Sequence, residues 1–173
     1  GEAYSSVTDG ADAVYWNPAG LDRIERRSIS VMHAAYLADI YYDFASYAQK
    51  IGKYNALGVG IQYLSARSID RTDEFGAGAG TFSPNDLAVS LAYSRRFHGF
   101  SFSFEDEEEE NREEFVLGIS AKFIRSRIVE TASTGAADVG LQWMPFDKWW
   151  LSVGAQNIGA TLKFKKDRDD LPL

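Results

Sequence analysis

The chain has 173 residues, a formal net charge of −7 and no cysteine. That length allows one substantial core, and the missing cysteines exclude a disulfide framework, a thiolate metal site and a cysteine nucleophile. The charge is local, because Glu105–Glu114 (EDEEEENREE) carries eight acids and one base and the remainder is close to neutral. Scattered Lys and Arg leave no basic footprint for nucleic acid.

The first informative segment is Asp9–Leu21, DGADAVYWNPAGL. Pro18 fixes its own φ, has no N–H and pushes Asn17 out of the helical region, so a sharp turn is expected. Tyr15 and Trp16 precede that turn and need an apolar wall to pack against. Residues 1–26 therefore form a separate segment ahead of the strands. Residues 27–173 carry a period of two almost throughout.

Two Tyr-rich strands are predicted at about Ser28–Leu37 and Tyr41–Ile51. Five cleaner ones follow. Leu57, Val59, Ile61 and Tyr63 alternate with Gly58, Gly60 and Gln62, and Leu87, Val89, Leu91 and Tyr93 with Ala88, Ser90 and Ala92. Phe115, Leu117, Ile119 and Phe123 alternate with Gly118, Ser120 and Lys122. Val139, Leu141 and Trp143 alternate with Asp138, Gly140 and Gln142, and Leu151, Val153 and Ala155 with Ser152, Gly154 and Gln156.

The second face carries the argument. A soluble sandwich normally sets Lys, Glu and Thr opposite its core, whereas here the second face is Gly, Ser, Ala and Gln. That pattern predicts an all-β, antiparallel up-and-down transmembrane barrel with large side chains toward lipid and small ones toward a narrow or plugged lumen. Tyr63, Tyr93, Trp143, Trp149 and Trp150 are expected in aromatic girdles. A soluble barrel with its large residues turned inward shares the same period. No stretch of eighteen apolar residues offers a transmembrane helix, and the opening GEAYSS does not read as a signal peptide.

Connection lengths suggest a polarity. Gly52–Tyr54 and Pro145–Lys148 are short, whereas Ala66–Asn85 and the polar tail from residue 159 to 173 are long. Short turns mark the periplasmic side of outer-membrane barrels. The short first connection and the acidic insertion at 105–114 break that rule. Seven strands leave two open edges, a liability, so the chain is expected to be the N-terminal part of a longer barrel.

GEAYSSVTDGADAVYWNPAGL resembles the opening of PorV/PorQ-family outer-membrane proteins, which are related to FadL-type hydrophobe transporters. LADIYYDFASYAQ, DEFGAGAGTFSPNDLAVSLAYSRRF, KFIRSRIVETASTGAADVGLQW and LSVGAQNIGATLKF resemble later pieces of that family in the same order. The resemblance covers almost the whole chain apart from the acidic run. It implies a FadL-like barrel of about fourteen strands when complete, this chain holding roughly half. It also implies a lumenal plug whose turn is Asn17, Pro18, Ala19 and Gly20, packed to the wall by Tyr15 and Trp16. A non-enzymatic role in type IX-like secretion or surface assembly at the bacterial outer membrane follows from the resemblance, with partners met through the outer loops 66–85 and 159–173. The alternative is a FadL-like channel for long-chain fatty acids or other hydrophobic molecules, with such a ligand in the lumen. Outer-membrane lipid surrounds the barrel in either case.

Other candidates have plainer readings. The acidic run lacks the spacing of a calcium loop and reads as solvated. GAGAG at Gly76–Gly80 lacks the Gly-Lys-Ser/Thr of a phosphate loop and reads as a flexible loop. His33 and His98 lie far apart without zinc-ligand spacing, and no nucleophile elbow supports a hydrolase, so no metal, cofactor or catalytic residue is assigned. Asp138, Lys122 and Gln142 fall on the small-residue face. A plug-to-wall pairing of Asp9 or Asp12 with Lys122 is the expected ionic tie.

Overall fold

In the computed structural model, residues 8–72, 75–76, 78–98, 114–128, 130–146, 149–159, 161–163 and 168–170 are described. A four-residue helix, α1 (Ala13–Trp16), and a 3-10 helix (Pro18–Arg23) precede the strands. The main sheet is an antiparallel meander of seven strands, β1 (Arg27–Tyr36), β2 (Ile40–Ile51), β3 (Asn55–Ala66), β6 (Asn85–His98), β7 (Glu114–Arg127), β8 (Thr131–Phe146) and β9 (Trp149–Ile158). These are the seven strands the alternation predicts. No helix among the described residues is long and apolar enough to cross a membrane.

Two connections expected to be loops contain further strands. The chain between β3 and β6 folds back on itself as β4 (Ile69–Thr72) and β5 (Gly78–Phe82), and the tail pairs β10 (Thr161–Lys163) with β11 (Arg168–Asp170). Three of the five residues of GAGAG are therefore strand, and Gly76 (φ 80°) and Gly80 (φ 99°) supply the left-handed backbone of this hairpin region. Both small hairpins lie at the same end of the sheet, here termed the hairpin end. At that end Arg67 bonds Asp39 at 2.8 Å, and this carboxylate raises the guanidinium pKa while tying the β1–β2 turn to the end of β3. The N-terminal segment passes into β1 at the opposite, entry end. The acidic run lies outside the described residues except for Glu114, which begins β7.

The sheet curls around the N-terminal segment, because α1 and the 3-10 helix contact β2, β3, β6, β7 and β8 and hydrogen-bond to β9; below, plug denotes this segment and wall the sheet face around it. The enclosed face is the small one. Ser46, Ala48, Ala56, Ser90, Ala92, Ser94, Ser120 and Asp138 are buried there. A dry cluster of Ala11, Ala13, Val14, Leu21 and Ile24 from the N-terminal segment meets Ala48, Ala56 and Ala92 of the wall. The large side chains face outward: Val59, Leu91, Ile119 and Phe123 are 49%, 59%, 56% and 52% exposed. So the large residues do not turn inward as a soluble barrel requires. Of the aromatics expected near the strand ends, Tyr63 and Trp143 are exposed and Tyr93 is half-buried, whereas Trp150 packs under Arg23 of the N-terminal segment at 5.1 Å. The Trp149 side chain lies outside the described part.

Candidate functional site: the N-terminal segment bonded to the sheet

Asn17 organises the turn. It is extended (φ −160°, ψ 109°), caps the 3-10 helix by accepting from the Ala19 N–H at 3.0 Å, and donates Nδ2 to Ser152 Oγ on β9 at 2.7 Å. Asn17 thus ends α1 through its backbone N–H on the Ala13 carbonyl oxygen, while its carboxamide starts the next helix and fastens it to the wall. Gln156, also on β9, donates Nε2 to the carbonyl oxygens of Tyr15 (2.6 Å) and Trp16 (3.1 Å). Tyr15 lies edge-on to Trp16 at 4.8 Å and tilted to Phe44 of β2 at 6.2 Å. Pro18, Ala19 and Gly20 are buried.

The wall makes room at the same points. A Cβ on Gly118 would lie 2.1 Å from the Ala19 nitrogen, and one on Gly140 would lie 1.8 Å from Asn17 Oδ1. Gly58 and Gly60 similarly sit under Val14. The glycines are small because the turn rests on them.

Asp22 is the ionic tie. Its side chain is fully buried, accepts from Lys50 Nζ of β2 at 2.6 Å and from Arg96 Nε of β6 at 2.6 Å, and also pairs with Arg96 NH2. Lys50 further donates to the Asp22 carbonyl oxygen. Arg96 reaches on to Glu114 of β7 at 2.7 Å. Two cations and two carboxylates balance, which a partly buried cluster requires. Ala11 N–H donating to Ser28 Oγ of β1 at 3.0 Å completes the attachment.

Lys122 has another role. Its ammonium pairs with Asp138 at 2.8 Å inside the wall, where Asp138 also accepts from Ser120 Oγ (2.7 Å) and the Asn157 N–H (2.8 Å). It meets the plug through the face of Tyr15 at 5.9 Å. Asp9 is exposed and Asp12 half-buried; among the described residues neither makes an ion pair with Lys122. The expected plug-to-wall pairing is made by Asp22 with Lys50 and Arg96 instead. The sequence signal for it was present: Lys50 and Arg96 interrupt small-residue faces, and a buried cation needs a carboxylate. Gln142 is buried beside its register neighbour Ser152. Of the two histidines, His33 bonds Asp43 at 2.7 Å on the exposed face. The His98 side chain lies outside the described part.

Two cavities flank the plug. One of about 340 Å³, toward the hairpin end, is lined by Tyr15, Tyr42, Leu64, Ile124, Lys122 and Gln156 among others. The other, about 490 Å³, lies at the entry end around Asp22, Lys50, Lys53 and Arg96. Among the described residues no cluster of His, Asp and Glu could hold a metal.

Asn17→Ala removes the cap and the Ser152 bond together. Loss of a cap costs about 1 kcal/mol and a side-chain hydrogen bond about as much again, so a drop of roughly 2 kcal/mol is expected in equilibrium unfolding, with Asn17→Asp keeping the cap but losing the donor to Ser152. Compared with protein-family models and with curated proteins, the chain matches none.

Proposed function

We propose that this chain is the plugged N-terminal half of a bacterial outer-membrane β-barrel of the PorV/PorQ type, a non-enzymatic component of protein secretion or surface assembly resembling the type IX system. The observation that carries the reading is the fixing of the plug on the wall: Asp22 on β2 and β6, and Asn17 with the Tyr15 and Trp16 carbonyls on β9. A lumen held shut this way suits a barrel that works through its outer surface. The small hairpins β4–β5 and β10–β11 supply that surface at the hairpin end. An outward face of Val59, Leu91, Ile119, Val139 and Val153 suits lipid.

One observation favours the second reading, a FadL-like channel. The 340 Å³ cavity above the plug is largely apolar, and a hydrophobic molecule would fit against Tyr15, Leu64 and Ile124. Purifying the full-length protein in mild detergent and identifying what accompanies it separates the two. A surface-protein partner with an empty lumen supports secretion, and a stoichiometric fatty acid or hydrocarbon overturns it.

The lipid-facing assignment has its own test. Ile119→Lys places a charge mid-strand on the outward face, and at the bilayer midplane such a change costs about 2–4 kcal/mol. Unfolding from lipid vesicles should show that loss. An unchanged midpoint, or a wild type that stays dispersed without detergent, rejects the membrane reading.

A further inference from the structure

The outward face does not end in the same way at its two ends. On β7 the apolar run Leu117, Ile119 and Phe123 gives way to Arg125 and Arg127, both exposed, on the same face toward the hairpin end. Sheet register sets Arg125 between Leu87 of β6 and Ser133 of β8, and Arg127 between Asn85 of β6 and Thr131 of β8. Ser133 and Thr131 are exposed. Among the described residues, neither arginine has a carboxylate or any other charged partner. Asp86, the nearest acid along β6, belongs to the opposite face, where it lines the inner cavity. Directly below the pair, Phe123 and its register neighbour Val89 are 52% and 42% exposed.

Two arginines whose Cα atoms stand about 7 Å apart along a strand, flanked by Ser133, Thr131 and Asn85 with Leu87 beside the first, and set above apolar side chains, match one kind of molecule. It has an anionic phosphate head and acyl chains. Guanidinium donors suit phosphate oxygens in a two-pronged geometry, and Phe123 and Val89 offer the chains a surface. We infer that Arg125 and Arg127 bind the phosphate headgroup of an anionic lipid at the hairpin end of the barrel; this rests on the membrane reading above. The entry end shows the contrast, since Arg95 is the outward cation of β6 there and stacks over Phe97 at 5.3 Å.

The detergent-solubilised full-length protein is titrated with phosphatidylglycerol or phosphatidylcholine, and retained lipid is counted by native mass spectrometry. A surface cation contributes roughly fivefold to anionic-lipid affinity, so Arg125→Gln with Arg127→Gln should weaken phosphatidylglycerol retention about 25-fold. Arg125→Lys with Arg127→Lys should retain most of it, and Arg95→Gln should match wild type. Equal retention by the double glutamine variant overturns the inference, as does an equal loss in Arg95→Gln. Displacement of the lipid by millimolar inorganic phosphate also overturns it, because the site would then be a simple anion site. A wild type that retains neither lipid and needs no detergent overturns the membrane reading as well, whereas retention of phosphatidylcholine with no arginine effect overturns this inference alone.

Discussion

Asp22→Asn should loosen the plug while leaving the sheet intact, and Asp12→Asn should do nothing comparable. Asp22 is the acid between Lys50 and Arg96, whose side chains keep 15% and 25% of their exposure. With the carboxylate gone, Arg96 retains Glu114, but Lys50 is left against a carbonyl and a neutral amide. Removing one member of a fully buried pair costs about 3–5 kcal/mol. Partial exposure of the cations lowers the expectation to about 2–3 kcal/mol, or on the order of a 100-fold rise in the population of unseated plug. The chain has no cysteine, so a single Val14→Cys reporter, buried under Gly58 and Gly60, reads plug opening as thiol-labelling rate. In Asp22→Asn the rate should rise about 100-fold with the far-ultraviolet β signal retained. Equal rates in the Asp12 and Asp22 variants would show that the ionic tie does not hold the plug.

Why that carboxylate escapes a reading of the sequence is a matter of register. The strands are legible because alternation depends only on neighbours in the chain, and Leu57–Tyr63 or Leu87–Tyr93 announce both faces at once. The turn is legible too, since Pro18 and Asn17 act locally. Pairing is not local. Lys122 looks available for a plug carboxylate until β7 and β8 align Ser120 with Asp138, which places that acid within 2.8 Å of the ammonium. Lys50 and Arg96 then need another anion, and only the seat of the 3-10 helix brings Asp22 to both. The β4–β5 hairpin was hidden for a different reason. Its strands are short, polar and glycine-rich, so they bury no apolar face that alternation could reveal.

Gly118→Ala should displace the plug turn more decisively than any other change of one methyl group. Along β7, Gly118 lies between Ser94 of β6 and Gly140 of β8 in register, and the Pro18–Ala19 peptide rests directly on it. The new Cβ would stand 2.1 Å from the Ala19 nitrogen, 2.3 Å from the Pro18 carbonyl carbon and 2.6 Å from the Ala19 Cα. None of these is the end of a flexible side chain. The Pro18 ring fixes φ, and the Asn17 cap fixes the peptide that follows, so the turn cannot yield locally. Overpacking ordinarily costs about 1–3 kcal/mol, and contact with backbone on this scale belongs at about 3 kcal/mol or above. Gly154→Ala on β9 is the matched control, because its nearest neighbour, the Val139 carbonyl oxygen, is 3.4 Å away. It should be neutral or gain a few tenths of a kcal/mol, roughly what replacing a strand glycine gives. The Val14→Cys reporter should therefore label fast in Gly118→Ala and slowly in Gly154→Ala, both with an intact β signal. Equal labelling would mean that the turn does not rest on β7, and the small-residue face would need another explanation. If instead Gly118→Ala alone opens the plug, the glycine is small to fit the Asn-Pro-Ala-Gly turn, and wall and plug are constrained as one surface.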